Sequence, residues 1–283
     1  MKLLSFEHEG RPTWGVRSGD AIANVGAVLG SRFATLKDLL GTTEFIKVAQ
    51  AALLEAPVVA LPDIRLLPPI PNPDKIICVG LNYEDHRVET QHLPTIHPTL
   101  FSRFAASQCA HGDAMIVPKT SDQLDFEAEL VAVIGQDCFE VPEEDALSKV
   151  AGYSCYNDGS VRDWQTHTTQ FLPGKNFPAT GAFGPYLVTA DEIGDPQNLA
   201  ITCRLNGTTV QSARTDQMVH SVARQIAYIT QFTSLTAGDL IVTGTPGGVG
   251  FTRTPPLYLK DGDLVEVEIE KVGLLRNPVK ASR

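Results

Sequence analysis

The hydrophobic positions of this chain mostly recur in short runs, which predict strands rather than long helices. The runs are rich in β-branched residues and end at glycine, proline or polar positions. They lie at residues 75–80, 124–134, 150–155, 240–242 and 264–270, the last of which we expect to be the closing strand. An Asn-Gly pair at residues 206–207, flanked by two more β-type segments, predicts a two-residue hairpin turn.

A helical repeat of apolar residues is clear at one place in this part of the chain. Met218, Val222 and Ile226 recur at helical spacing and predict a helix over residues 216–232. A shorter helix is expected over residues 142–150. The pattern therefore predicts an α+β fold that is mostly β, a β-roll or sandwich with catalytic groups on strand ends and loops.

The N-terminal part of the chain reads as a separate small unit. Strands are expected at residues 2–7 and 13–17, and helices at residues 35–40 and 43–55. Four prolines between residues 67 and 73 favour an extended linker. We therefore predict a small N-terminal α/β domain over residues 1–70 and a larger domain over residues 71–283.

Composition and charge exclude several classes of partner. The chain has 283 residues and a formal net charge of −10, with 23 Lys and Arg against 33 Asp and Glu. An acidic chain lacks the electrostatic footprint for nucleic acid or anionic membranes, so neither is an expected partner. No apolar run reaches the length of a membrane span, and acidic residues come too early at the N-terminus for a secretory signal. We expect a soluble cytoplasmic protein.

The cysteines offer no metal or redox motif. All five lie far apart, none forms a C-x-x-C pair, and most lie in or beside apolar runs. We interpret them as small core residues in a reducing compartment.

Three carboxylates are the strongest chemical signal. Glu127 and Glu129 stand two positions apart at the head of an apolar strand, where side chains share one face roughly 6.5 to 7 Å apart. Asp158 follows another apolar segment. Carboxylate oxygens favour Mg²⁺ or Mn²⁺, so the three residues are candidate ligands. The alternative is an ordinary strand with a solvated acidic face.

A histidine and a glutamate suggest a general base. His86 and Glu89 are three residues apart, so on one helical turn Glu89 could orient and polarise the His86 imidazole. The alternative is an exposed turn with a chance pair. His92, His97 and His111 match no zinc spacing, and we interpret them as surface or loop histidines.

Two further segments are candidates for substrate contacts. Lys175 follows a glycine and could balance the charge of the carboxylates and an anionic substrate, although a solvated loop lysine is the simpler alternative. The glycine-rich segment 243–250 follows a buried strand, so a ligand carboxylate could reach its backbone N–H groups and the Thr245 hydroxyl. It lacks the ending of a phosphate-binding loop.

Taken together, the motifs resemble those of the fumarylacetoacetate hydrolase family. They occur in the family's order over roughly residues 70 to 275, with Asn82-Tyr83 leading to the His–Glu pair and with Gly174-Lys175-Asn176-Phe177. Pro178 and the pair Gly159 and Val161 depart from the sequences of many relatives, while the candidate ligands are all present.

The resemblance implies a catalytic, metal-binding mixed β-roll in the larger domain, and a homodimer. It implies Mg²⁺ or Mn²⁺ held by Glu127, Glu129 and Asp158. It places the catalytic pair His86 and Glu89 on a mobile lid. It also implies a substrate pocket lined by Arg162, Gln165, Lys175 and Thr245.

The chemistry that follows is hydrolysis of an acylpyruvate, such as maleylpyruvate or fumarylpyruvate from aromatic-compound degradation, with release of pyruvate. His86 would activate water, while Lys175 and Gln165 would stabilise the oxyanion. The alternative uses the same enolate chemistry in a decarboxylase or keto-enol isomerase acting on oxaloacetate or a 2-hydroxy-dienoate. A non-catalytic metal-binding protein with this fold is a third hypothesis. The sequence alone does not separate the first two.

Overall fold

A computed structural model describes residues 1–282, and most of the regular structure in that range is β. The strands are β1 (Lys2–His8), β2 (Arg11–Ser18), β3 (Ala21–Ala23), β4 (Val58–Ala60), β5 (Ile64–Leu66), β6 (Ile76–Gly80), β7 (Thr99–Arg103), β8 (Gln108–Ala110), β9 (Met115–Val117), β10 (Leu124–Asp125), β11 (Ala128–Ile134), β12 (Val150–Asp158), β13 (Ser160–Val161), β14 (Gly181–Thr189), β15 (Ala200–Leu205), β16 (Thr208–Arg214), β17 (Leu240–Val242), β18 (Leu264–Ile269) and β19 (Gly273–Ala281).

The helices are short and lie between the strands. They are α1 (Gly26–Leu29), α2 (Leu36–Leu40), α3 (Phe45–Ala52), α4 (Glu84–Glu89), α5 (Glu143–Ala146), α6 (Arg162–Gln165), α7 (Leu172–Lys175), α8 (Ala190–Ile193) and α9 (Val222–Thr230). Within residues 1–282, none of them has the length and hydrophobicity needed to cross a membrane.

One large mixed sheet forms the framework of the molecule. Its strand order is β4-β3-β2-β1-β14-β12-β11-β17-β6-β7, with β5 beside β1 and β8 beside β14. The N-terminal strands therefore continue the same sheet through the antiparallel contact of β1 with β14, where Leu3 faces Leu187. The domain boundary near residue 70 stays a prediction.

A second sheet of five strands, in the order β16-β15-β18-β19-β9, packs against the first. Strand β11 lies between the two apolar cores, and all seven of its residues are buried. Leu130 and Ala132 join the core shared with the second sheet, whereas Val131 and Val133 join the core under the N-terminal helices. This alternation follows from the two-residue period of a strand, and two-sided burial explains the continuous apolar run.

Strand direction brings several chain segments to one edge of the large sheet. Strand β11 runs antiparallel to both β12 and β17, and β17 runs parallel to β6. The beginning of β11 therefore lies beside the carboxyl ends of β6, β12 and β17. Residues that follow those three strands meet there, in the arrangement that places ligand sites at strand ends in many mixed folds.

The predicted mostly-β α+β fold with mixed sheets is confirmed. The hairpin at Asn206-Gly207, where Leu205 faces Thr208, is confirmed as well. Three element predictions are wrong in their bounds. The helix predicted over residues 216–232 begins only at Val222, because residues 215–217 form a separate turn and Met218 bridges to Tyr83.

The other two differences concern the end of a helix and the last strand of the chain. Over residues 142–150 the helix ends at Ala146, is followed by a 3₁₀ turn, and gives way to β12 at Val150. The strand expected to close the chain, β18, is followed by β19, which pairs with it and continues to Ala281.

Candidate active site

Three buried carboxylates meet at the shared strand edge. Glu127 immediately precedes β11, Glu129 lies within it, and Asp158 ends β12. The backbone N–H of Asp158 donates to the Glu127 carbonyl oxygen at 2.9 Å, so these residues lie opposite each other and their side chains share one face. One oxygen from each of the three carboxylates lies within 4.8 Å of the others. The alternative of a solvated acidic strand is thereby excluded.

The closeness of the carboxylates separates their affinities for protons. Burial, together with the negative charges of Asp158 and Glu127, raises the pKa of Glu129 well above the usual range. Burial also raises the pKa of Glu127, but the Lys175 and Arg162 cations outweigh it and bring that pKa to about 2. The repulsion among the three carboxylates therefore disfavours mainly the ionised form of Glu129.

Two cations within reach of the triad are as deeply buried as the carboxylates. Lys175, at the end of α7, donates from Nζ to both Glu127 and Asp158 at 2.7 Å. Burial lowers the pKa of Lys175, but these carboxylates outweigh it and raise that pKa overall. Arg162, at the start of α6, pairs with Glu127 at 2.7 Å. Lys175 is thus a fixed ammonium group and not the solvated loop lysine that its sequence context also allowed.

The donor set fits a divalent metal ion. Three oxygen ligands within one small volume match the preference of Mg²⁺ and Mn²⁺ for carboxylates. The raised pKa of Glu129 also indicates a cation site. A bound divalent ion would relieve the repulsion from Asp158 and Glu127 that disfavours the ionised form of Glu129. The sequence predicted the same three residues as ligands, Glu127 and Glu129 from their spacing and Asp158 from its position after another apolar segment and from the family resemblance.

The histidine–glutamate pair lies on α4, which follows β6. His86 is buried, and its Nδ1 lies 2.8 Å from a Glu89 carboxylate oxygen. The other Glu89 oxygen accepts from the Gly248 N–H at 2.9 Å. Burial raises the pKa of Glu89, but the bonds from His86 and Gly248 outweigh it, so the pKa is lowered. An ionised Glu89 holds the proton on Nδ1 and leaves His86 Nε2 as the basic nitrogen.

A cavity of about 290 Å³ lies between the carboxylate cluster and His86. His86, Glu127, Glu129 and Lys175 line it, together with apolar side chains that include Val79, Leu81, Phe101, Phe171 and Phe251. A mostly apolar wall with a few convergent polar groups is typical of a small-molecule site. The cavity therefore brings the base, the candidate metal ligands and a lysine to one small substrate.

The remaining predicted pocket residues also lie at the cavity. Arg162 donates from Nη1 to the Gln165 side-chain oxygen at 2.8 Å, which leaves the Gln165 amide N–H groups free to donate. The Thr245 hydroxyl accepts from Gln211 at 2.9 Å and keeps its own proton for a ligand. Arg162, Gln165 and Thr245 all line the cavity. Their roles in binding stay predictions.

The backbone N–H groups of the glycine-rich segment 243–250 were expected to bind a ligand carboxylate, but several of them bind carboxylates of the protein. The Gly244 N–H donates to Glu129 at 2.5 Å, and the Gly250 N–H donates to Asp125 at 2.8 Å. With Gly248 on Glu89, three backbone N–H groups of this segment bind carboxylates of the protein itself. The segment thus positions the acidic residues of the site.

Sequence reasoning missed two charged residues behind the cavity. Arg103, at the end of β7, is buried and donates to Asp158 at 2.5 Å and to Thr180 at 2.8 Å. Asp125 accepts from Arg162 Nε at 2.9 Å. Neither residue belongs to a local motif, although Asp125 lies two positions before Glu127 and could have been found by extending the same alternation.

The interpretation of three histidines as surface or loop residues is confirmed. His92 is exposed and lies outside the helices and strands, and it also lines the cavity, which the sequence did not indicate. His97 stacks on Tyr228 with 5.4 Å between ring centroids, and His111 accepts from the Arg276 N–H at 3.1 Å. The latter two take no part in lining the cavity.

A buried carboxylate triad at strand ends, with a histidine–glutamate pair beside it on a mixed β-roll, matches one enzyme family. The family model for the C-terminal part of fumarylacetoacetate (FAA) hydrolase matches residues 75–280. The chain belongs to the fumarylacetoacetate hydrolase family, as the sequence resemblance indicated.

Individual relatives extend the match over nearly the whole chain. The mitochondrial oxaloacetate tautomerase of Xenopus laevis is 43% identical over 290 residues, which cover 99% of this chain and 90% of the relative. A fumarylacetoacetate hydrolase from Exiguobacterium antarcticum is 35% identical, with a TM-score of 0.88 and full coverage of both chains. The maleylpyruvate hydrolase of Sphingobium sp. SYK-6, solved with manganese(II) and pyruvate, is 29% identical, with a TM-score of 0.84 and full coverage of both chains.

Proposed function

We propose that this protein interconverts the keto and enol forms of oxaloacetate with a divalent metal ion, Mg²⁺ or Mn²⁺. The observation that carries the proposal is the His86–Glu89 pair, which supplies an oriented base at the cavity that Glu127 and Glu129 of the candidate metal-binding triad line. The similarity to an oxaloacetate tautomerase over 99% of the chain supports this substrate. The isomerase alternative drawn from the sequence thus has more support than the hydrolase hypothesis.

Tautomerisation needs one proton to move from carbon to oxygen. His86 Nε2 would remove a proton from C3 of the keto form, while the electrons of that C–H bond form the C2–C3 double bond. The π electrons of the C2 carbonyl move to its oxygen, which takes the proton from the His86 imidazolium, so the enol is complete and His86 is neutral again. The reverse sequence returns the keto form, so no atom is consumed.

The residues around the reacting atoms have separate tasks. Glu127, Glu129 and Asp158 would hold the metal ion, which supplies a Lewis acid for the 2-oxo acid group. Lys175 and the Gln165 amide would donate hydrogen bonds to the oxygen on which negative charge develops. The phenylalanine side chains exclude water, which strengthens these electrostatic interactions.

The direct test follows the ultraviolet absorbance of enol-oxaloacetate after it is dissolved. Protein loaded with Mg²⁺ should accelerate the decay of the enol beyond the rate in buffer with the same Mg²⁺ concentration. His86→Gln should remove the acceleration, while His97→Gln, which changes a histidine outside the cavity, should retain it. Decay at the buffer rate with folded, metal-loaded protein would refute the proposal.

Hydrolysis of an acylpyruvate is the second candidate. The similarity to a maleylpyruvate hydrolase with bound pyruvate favours it, because the same base would serve to activate water. Pyruvate formed from maleylpyruvate or fumarylpyruvate would identify this activity. Carbon dioxide released from oxaloacetate in step with enol loss would identify decarboxylation instead. The two products are measured in separate reactions, one with the acylpyruvate and one with oxaloacetate.

Three broader expectations go with the proposal. We propose a homodimer, which sedimentation of the full chain would test. The sequence predicts a cytoplasmic protein, and fractionation of the source cells would test that prediction. The catalytic, metal-binding unit is proposed to span residues 71–283, with residues 1–70 as a smaller domain.

A further inference from the structure

Every buried cation near the cavity already faces a carboxylate. Lys175 pairs with Glu127 and Asp158, and Arg162 pairs with Glu127. Arg103 donates to Asp158. These cations therefore stabilise the protein's own acidic groups before any substrate arrives.

The overall charge of the site indicates that a dicarboxylate substrate needs a further cation. The carboxylates are Asp125, Glu127, Glu129, Asp158 and Glu89, and the cations that stay charged are Arg103, Arg162 and Lys175. One divalent ion would balance the excess of negative charge. A substrate with two carboxylates brings two further negative charges, and the second carboxylate, distant from the ion, needs a cation of its own.

His92 is the one remaining basic side chain among those that line the cavity within residues 1–282. It has no carboxylate partner in that part of the chain, and its Nδ1 lies 3.0 Å from the Thr90 hydroxyl oxygen. Thr90 lines the cavity as well. The Thr90 hydroxyl already donates to the His86 and Arg87 carbonyl oxygens, so His92 Nδ1 donates to Thr90. This leaves Nε2 for a ligand, and Nε2 donates to a carboxylate when the ring is protonated.

The backbone around His92 is held to the catalytic helix. Its N–H donates to the Arg87 carbonyl oxygen at 3.1 Å, and its own carbonyl oxygen accepts from the Arg87 guanidinium. Arg87 lies on α4 between His86 and Glu89. The ring of His92 is therefore placed relative to the base, although the side chain is exposed at the mouth of the cavity.

We infer that His92 binds the distal carboxylate of the substrate, and that it thereby sets a preference for dicarboxylic over monocarboxylic 2-oxo acids. The inference deepens the proposed function and depends on it for the identity of the substrate. His92 is here a specificity-determining residue, because it contacts the substrate away from the reacting carbon. The 2-oxo acid end is left to the metal ligands, Lys175 and Gln165.

Two stable ligands separate this role from general binding. Malate and 2-hydroxybutyrate share a 2-hydroxy acid end and differ at C4, where malate has a carboxylate and 2-hydroxybutyrate a methyl group. Calorimetry with the full chain and saturating Mg²⁺ gives the affinity for each. His92→Gln should weaken malate binding about fivefold to tenfold, the effect of losing one charge-assisted hydrogen bond near solvent. Binding of 2-hydroxybutyrate should change less than about twofold.

Variants at neighbouring positions complete the design. His92→Arg should retain the preference for malate, since arginine supplies a cation that can pair with the C4 carboxylate, and His97→Gln should match the unchanged protein. In kinetics with oxaloacetate, His92→Gln should raise KM and leave kcat nearly unchanged. An equal loss of affinity for both ligands, or no preference for malate in the unchanged protein, would overturn the inference.

The two proposals fail in different measurements. Absence of tautomerase activity would refute the proposed function, yet a malate preference that depends on His92 would still support the binding role. Tautomerase activity without that preference would leave the reaction intact and remove His92 from substrate recognition.

Discussion

The orientation of the His86 imidazole, the proposed general base, depends on Glu89. In a Glu89→Gln variant the amide no longer stabilises the imidazolium that forms when His86 takes a proton. We expect kcat for oxaloacetate tautomerisation to fall about 100-fold, with little change in KM. Glu84→Gln is the matched control, because Glu84 lies on the same helix and pairs with Arg87 at the surface. Equal activity of both variants would contradict this role.

The lowered pKa of Glu89 also predicts a pH dependence of stability. A carboxylate whose pKa is lower in the folded protein stabilises it above the unfolded value, about 4.3, and this contribution is lost as pH falls through the lowered value. The melting temperature of the unchanged protein should therefore exceed that of Glu89→Gln near neutral pH. The difference should shrink in acid. A difference that stays constant between about pH 7 and pH 3 would refute the expectation.

Lys175 should matter for folding as well as for the reaction. Its removal in Lys175→Met leaves the buried carboxylates of Glu127 and Asp158 without their shared partner. We expect the free energy of unfolding of the metal-free protein to fall by about 3 to 5 kcal/mol. Added Mg²⁺ should recover part of that loss. Urea unfolding with and without Mg²⁺ measures both quantities.

An exposed ion pair provides the control for that loss. Lys37→Met breaks a pair with Asp74, whose side chain is 60% exposed. Its effect should stay within about 1 kcal/mol. A similar loss of unfolding free energy in the two variants would contradict the expectation that Lys175 stabilises the buried carboxylates of Glu127 and Asp158.

At the scale of single residues, alternation along a strand placed two of the three candidate metal ligands on one face. Glu127 and Glu129 share a face because of the two-residue period, and that rule needs no knowledge of the fold. Arg103 could not be found this way, since it lies 55 positions from Asp158 and only the pairing of the strands brings them together. His92 was correctly interpreted as a loop residue, but its place at the cavity could not be predicted because it depends on the whole fold.

Among the connecting elements, the turn after β17 is the most constrained. Gly244 has a φ of +106°, and a Cβ atom there would lie 2.6 Å from the Asn82 Cβ. Gly244→Ala should destabilise the protein by about 2 kcal/mol or more. It should also weaken Mn²⁺ binding, because the Gly244 N–H that holds Glu129 would be displaced. Calorimetry of Mn²⁺ binding and urea unfolding are the measurements.

Gly262→Ala separates the two causes of that effect. Gly262 also has a positive φ, of +87°, but a Cβ atom there has no neighbour within 4 Å. It should cost about 1 kcal/mol in stability and leave Mn²⁺ affinity unchanged. Weaker Mn²⁺ binding in Gly262→Ala would show that backbone strain far from the site is sufficient.

The misplaced start of α9 shows where element prediction fails. The apolar spacing of residues 218–232 is helical, but Val219 donates its N–H to the Asn82 carbonyl oxygen and Met218 bridges to Tyr83. These contacts hold the chain extended until Ser221, whose hydroxyl caps the helix. Tertiary hydrogen bonds thus override the local pattern. Hairpins such as residues 205–208 are predictable because their turn is set by two adjacent residues.

For the whole molecule, metal removal should lower stability. The carboxylates of Glu127, Glu129 and Asp158 repel one another, and they are brought together only in the folded protein. A bound ion therefore stabilises the folded state and not the unfolded state. At a free Mg²⁺ concentration of about 100 times Kd, the gain is about 2.7 kcal/mol. The melting temperature should then fall by about 5 °C on addition of EDTA. Glu129→Gln should show a much smaller response, and an equal response would place the ion elsewhere.

The contact between β1 and β14 has a consequence for any shortened form of this protein. A chain that starts at residue 71 would lack Lys2 and Leu3, which now face Val188 and Leu187. The amide and carbonyl groups at that end of β14 would lose their partners, and a bare strand edge is a template for intermolecular strand addition and aggregation. By pairing with β14, strand β1 covers this edge, so we expect the full chain to aggregate less than a chain that starts at residue 71.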